Sequence, residues 1–98
     1  MTYIDDATHE LNAQLSASHA GNGCPPELTK LYALLVLTRG ADCTLEDVHD
    51  AWAVWTAAER PEHRSLIPFS DLAVDVQLLD VPYRDAIRAA ATRLSATA

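Results

Sequence analysis

The stretch "VHDAWAVW", Val48 to Trp55, decides how this chain folds. It holds both tryptophans of the 98-residue sequence, three positions apart, with His49 one helical turn before the first. Val48, Trp52 and Trp55 recur at helical spacing, so they are expected to share one buried face of a helix, with Glu59 next in the series. Thr44, with Asp47 three residues later, has the form of a capping box and opens that helix. Pro61 closes it, and the residue before a proline, Arg60, is pushed out of helical geometry.

Working outward, a first helix is expected from Tyr3 to Ser18, with Ile4, Leu11 and Leu15 inward and Asp5 and Asp6 suited to the dipole of its first turn. "HAGNGCPP", residues 19–26, breaks it with glycines, an asparagine and two prolines. A second helix starts at those prolines, where a missing N–H costs nothing. It carries Leu28, Leu31, Leu34, Leu35 and Leu37, is apolar around much of its circumference, and should be central. Arg39 suits its C-terminus and Gly40 stops it.

Beyond the tryptophan helix, "PEHRSLIPF" reads as an extended strap, because Pro68 forbids a regular helix while Leu66, Ile67 and Phe69 are apolar. Ser70 is expected to cap a short helical turn over "DLAVDVQLL". Asp80 is expected to cap a last helix with Pro82 in its first turn. That helix should bury Tyr83, Ile87, Ala90, Ala91 and Leu94 and expose Asp85 and Arg88. No strand-like alternation occurs. The fold class is all-α: one domain over 1–98, a compact bundle of four main helices with a short extra helical turn and an extended, proline-containing strap.

Composition limits the function. A chain of about 100 residues can bury one core without staples. The net charge of −7 argues against coating duplex nucleic acid, which needs a basic face, and against anionic membranes. The longest apolar run, Leu31 to Leu37, falls short of the roughly 18 residues of a membrane span. The acidic N-terminus is unlike a signal peptide, so a cytoplasmic location is expected. Cys24 and Cys43 form no C-x-x-C and read as reduced thiols, a disulfide being an option only in an oxidising compartment.

From about Leu45 to Leu94 the chain resembles the ryanodine-receptor (RyR) repeat domain of the stand-alone bacterial and phage type. "HDAWA" supplies the His-x-x-Trp-Ala element with His49, Trp52 and Ala53. "HRSLIPFSDL" supplies His63, Leu66, Pro68, Phe69 and Leu72 of the second motif. The acidic turn and closing helix of that family correspond to "DVQLLDVPYRDAIRAAATRL". The loop that such domains carry between the two motifs is shortened to "TAAERPE", and Arg64 and Ala73 stand where proline is usual. Residues 1–40 lie outside the resemblance as additional N-terminal helices. The resemblance implies a ligand related to nucleotides, with Trp52 stacking on a base and Arg60 and His63 meeting phosphate, in a module that sequesters or senses such a signal.

Each candidate also has a plain structural reading. Trp52 and Trp55 are core aromatics unless Trp52 faces a cleft. His49 and His63 fix loops through backbone hydrogen bonds unless they converge on one site; with no third ligand at helical spacing they do not make a metal site. Arg84 and Arg88, four apart, are either solvated ion pairs or a phosphate clamp. His9, with Asp5, Asp6 and Glu10, reads as a solvated face. Ser65, Ser70 and Cys24 lack a recognisable base or elbow, so no catalytic residue and no cofactor are expected. The expected function is therefore a small non-catalytic binding module whose ligand site comprises His49, Trp52, Arg60 and His63. The alternative is a homodimer or protein-interaction domain that uses the spare apolar face of the second helix. In either case the indole of Trp52 is expected to be the hub for the strap and the closing helix, next to Phe69 and Ile87.

Overall fold

The computed structural model describes residues 2–17 and 24–96. Helix α1 (Tyr3–Ala17) buries Ala7, Leu11 and Leu15, each four residues from the next. Ile4, expected inward, faces solvent instead, because Ala7 already begins the buried stripe. Thr2 opens the helix reciprocally with Asp5: the Thr2 N–H donates to the Asp5 carboxylate at 3.0 Å and the Asp5 N–H donates to Thr2 Oγ1 at 3.3 Å. Ser18, read as the helix end, and residues 19–23 of the expected loop lie outside the described residues.

Helix α2 (Pro26–Thr38) begins at its prolines and buries Leu28, Thr29, Tyr32, Ala33 and Val36. It packs against α1, α3 and α5, which makes it the central helix. Its leucines are not all inside: Leu34 is 53% exposed and Leu37 42%. The buried stripe is completed by Tyr32 and Thr29, residues that leucine spacing alone does not reveal. Gly40 follows with φ of 56°, the left-handed conformation that glycine adopts without strain, and opens a 3₁₀ turn to Asp42. A side chain there would meet Ala91 Cβ at 3.6 Å, so α5 passes directly over this corner.

Helix α3 (Leu45–Glu59) opens on a complete capping box. Thr44 Oγ1 accepts from the Asp47 N–H at 3.1 Å, and the Asp47 carboxylate accepts from the Thr44 N–H at 3.0 Å. Arg39 closes on the same carboxylate at 2.9 Å. The helix ends at Glu59, with Arg60 at φ −141° before Pro61. Its fully buried positions are Val48, His49 and Thr56, whereas Trp52 and Trp55 flank them half-buried. The tryptophans edge the core instead of filling it.

The strap is not extended. It folds as two consecutive turns, closed by the His63 N–H on the Arg60 carbonyl at 3.0 Å and the Leu66 N–H on the His63 carbonyl at 3.1 Å. A 3₁₀ turn (Phe69–Asp71) follows, then the short helix α4 (Val74–Gln77). Ser70 sits inside the 3₁₀ turn and caps nothing; α4 starts after Ala73 without a side-chain cap. Gln77 ties the region together, its Nε2 donating to the carbonyls of Phe69 and Leu72 at 3.0 and 3.2 Å. Asp80 is not a cap either. It belongs to a third 3₁₀ turn, Leu78–Asp80, that runs straight into α5 (Val81–Ala96) with Val81 already helical.

Helix α5 buries Ala86, Ile87 and Ala90 and lies along α1 and the Gly40 corner. Arg88, expected outside, is half-buried: its Nε donates to the carbonyl of the fully buried Cys43 at 2.7 Å. Among the described residues there is no strand, and no helix is long and apolar enough to cross a membrane. The protein is an all-α bundle of four main helices with one short extra helix and isolated 3₁₀ turns. Its radius of gyration of 13.1 Å matches the ~13 Å of a folded chain of about 100 residues.

Candidate functional site

Trp52 separates two hollows. The first, about 450 Å³, is walled by Tyr32 of α2, Trp52 and Trp55 of α3, Arg60, Asp80 and Tyr83. The second, about 270 Å³, lies on the side of the strap, among His49, Trp52, His63, Ser65, Leu79 and Asp80. Trp52, Leu79 and Asp80 belong to both and form the partition.

The four residues expected at a ligand site divide between these hollows. His49 is 3% exposed, and its Nε2 donates to the Ile67 carbonyl at 2.8 Å, pinning the strap to α3. Its ring lies over Trp52 at 5.7 Å between centroids and meets Phe69 at 6.1 Å. His63 meets Trp52 edge-on at 5.1 Å, and its Nδ1 accepts the Ser65 N–H at 3.1 Å. The indole is thus held from the strap side by two imidazoles. Phe69 reaches this centre through His49, so His49 shares the hub role expected of Trp52 alone. Arg60 stands on the other side, in the first hollow, exposed and without a side-chain hydrogen bond or ion pair among the described residues. Arg60 and His63 therefore do not converge on one space, and a single phosphate between them is not what this geometry offers.

Three wall residues lay outside the sequence expectation of a site: Tyr32, Asp80 and Tyr83. Tyr32 and Tyr83 pack ring on ring at 5.5 Å with a 43° tilt. Burial pushes both phenols up from their ordinary pKa, with the Asp80 charge adding to it, so both stay neutral hydroxyls. Asp80 is also raised, by burial, with His49 pulling the other way. None of the three has a side-chain hydrogen bond among the described residues. Tyr32 was hidden in a leucine-rich helix, and Asp80 had the look of a helix cap. Only the meeting of α2, α3 and the turn before α5 brings them together.

Of the other arginines that could gather, Arg84 and Arg88 are occupied, whereas Arg64 has no side-chain partner among the described residues. Arg84 pairs with Asp85 at 3.1 Å and Arg88 holds the Cys43 carbonyl. Cys24 and Cys43 are free thiols; burial pushes Cys43 up to about 11, which leaves it protonated and inert as a nucleophile.

Residues 2–92 match the model of a family described as Domain of unknown function (DUF7701). The chain belongs to that family. The matched span runs from α1 into α5, so the N-terminal helices and the tryptophan site fall within one family unit. No curated protein and no solved structure matches the chain.

Proposed function

We propose that this DUF7701 domain is a small non-catalytic binding module for a nucleotide or nucleotide-derived ligand. The observation that carries the reading is the first hollow. Trp52, Trp55 and Tyr83 offer half-buried ring surface beside two charged groups, Asp80 and Arg60. This is the composition of a small-molecule pocket. A base stacked on an indole gains roughly 1–3 kcal/mol. One guanidinium without a partner among the described residues is enough to grip a single phosphate through two parallel N–H bonds. The acidic balance of the chain excludes long polyanions but not a mononucleotide. His49 and His63 hold Trp52 from behind in this scheme and touch no ligand in the first hollow. The likeness of "HDAWA" and "HRSLIPFSDL" to the RyR repeat supports the same reading.

Thermal melting with a panel of mononucleotides and cyclic nucleotides tests the proposal. A ligand at about 100 times its Kd adds ~2.7 kcal/mol, a rise of several degrees for a domain of this size. Arg60→Ala is expected to remove the rise while leaving the ligand-free midpoint within about 1 °C, since an exposed side chain without partners contributes little to stability. A panel without effect on the wild-type midpoint sinks the proposal.

A second reading rests on Leu34 and Leu37, which lie on one exposed face of α2. A homodimer or a protein partner would cover them. Light scattering that returns twice the 10.7 kDa chain mass, and a Leu34→Lys variant that returns the single mass, would favour this alternative.

A further inference from the structure

Asp80 lines both hollows, and neither the α5 cap nor the core uses its side chain. Its side chain is half-buried in the wall shared by both hollows, near enough for its charge to act on both phenols. It makes no hydrogen bond or ion pair with any described residue, and only the buried His49 across the second hollow acts on its charge. Arg60 lines the first hollow with it, yet no ion pair joins the two. Taking a carboxylate from water without a partner is unfavourable, and its raised pKa reports that burial. A group held this way in a pocket wall is one that a ligand completes.

The chemistry of the group narrows the ligand. An ionised carboxylate only accepts, and it has two oxygens side by side. Its natural complement is a pair of adjacent N–H donors. Among the common bases only guanine presents that pair, a ring N–H next to an amino group. Adenine and cytosine set a ring acceptor beside their amino group, and uracil sets carbonyls beside its one N–H. An organic ammonium would also satisfy Asp80, but it would face the like charge of Arg60 across the hollow. A guanine nucleotide uses both charges: base edge on Asp80, phosphate on Arg60, ring on Trp52. The phenol of Tyr83 remains as a donor for the base carbonyl.

We propose that Asp80 makes this site selective for a guanine-type base, one with two adjacent N–H donors. The assignment rests on the binding reading above and adds the identity of the base to it.

Titration calorimetry on the full chain with guanosine, inosine, adenosine and xanthosine 5′-monophosphates tests it. The wild type is expected to bind the guanosine form at least about tenfold more tightly than the adenosine form, the discrimination typical of one two-point base contact. The inosine form, which lacks the amino group, should fall between them. Asp80→Asn replaces one acceptor by a donor, so it should lose the guanosine form and gain the xanthosine form, whose edge pairs an N–H with a carbonyl. Circular dichroism of Asp80→Asn checks that the helices persist. If that variant does not fold, the wild-type ratios alone decide. Equal affinity for guanosine and adenosine forms overturns the role of Asp80 and leaves a base-binding module standing. No binding of any of the four overturns both.

Discussion

Thr56 is the residue at which this core is least comfortable. Three other helical threonines return their hydroxyl to the carbonyl four residues back: Thr8 to Ile4 at 2.9 Å, Thr29 to Pro25 at 3.0 Å, Thr38 to Leu34 at 2.8 Å. Thr56 is fully buried, and its Oγ1 has no partner among the described residues. An orphaned buried hydroxyl costs about 1–3 kcal/mol, and a methyl of the same shape does not. Thr56→Val is therefore expected to stabilise the domain by about 1 kcal/mol, a rise in Tm of roughly 4–8 °C by calorimetry. An unchanged or lower Tm would show that the hydroxyl is satisfied. At this same scale "VHDAWAVW" was only partly legible. Its spacing locates the helix and the inward direction of Val48. It does not reveal that His49 and Thr56 are buried ahead of the tryptophans, because partners such as the Ile67 carbonyl come from distant sequence. Arg60 and Trp52, which line the first hollow, were readable as candidates, and Asp80 beside them was not, since an aspartate before a proline-led helix has the local signature of a cap.

The helices themselves follow local rules closely. Proline opens α2, glycine in the left-handed region follows it, Thr44 and Asp47 cap α3, and Pro61 ends it. Each of these signals acts within four residues, which is why sequence carries them. Thr44→Ala removes one half of the capping box and leaves the Asp47 N–H without its acceptor. The expected cost is about 1 kcal/mol, seen as a lower midpoint in urea with an unchanged slope. The segment from Pro61 to Asp80 follows no such local rule. Its turns are held by longer-range contacts, His49 of α3 on the Ile67 carbonyl and, within the segment, Gln77 on those of Phe69 and Leu72. Proline at position 68 excludes a helix, but it cannot choose between an extended strap and a string of turns. The choice falls to the contacts with α3 and α4.

For the whole molecule, charge is the property that sequence states most directly and structure changes least. Fourteen acids face seven cations. Of the latter, Arg39, Arg84 and Arg93 pair with Asp47, Asp85 and Glu10, and Arg88 is spent on a carbonyl. Most carboxylates thus repel one another across a small surface. Raising NaCl from about 10 mM to about 0.5 M shortens the screening distance from about 30 Å to a few Å. It should raise Tm by a few degrees. A fall on adding salt would mean that the three surface pairs outweigh the excess negative charge.

The 3₁₀ turn that carries Asp80 passes into α5 without a break, and α5 is seated by Ile87 and Ala90 in the core and by Arg88 on Cys43. The carboxylate is therefore geared to the rotational phase of that helix. One residue inserted between Asp80 and Ile87 would turn it by roughly 100° about the axis, while the buried stripe kept its seat. Length in this short span should tolerate no drift, although exchanges of side chain within it may be many.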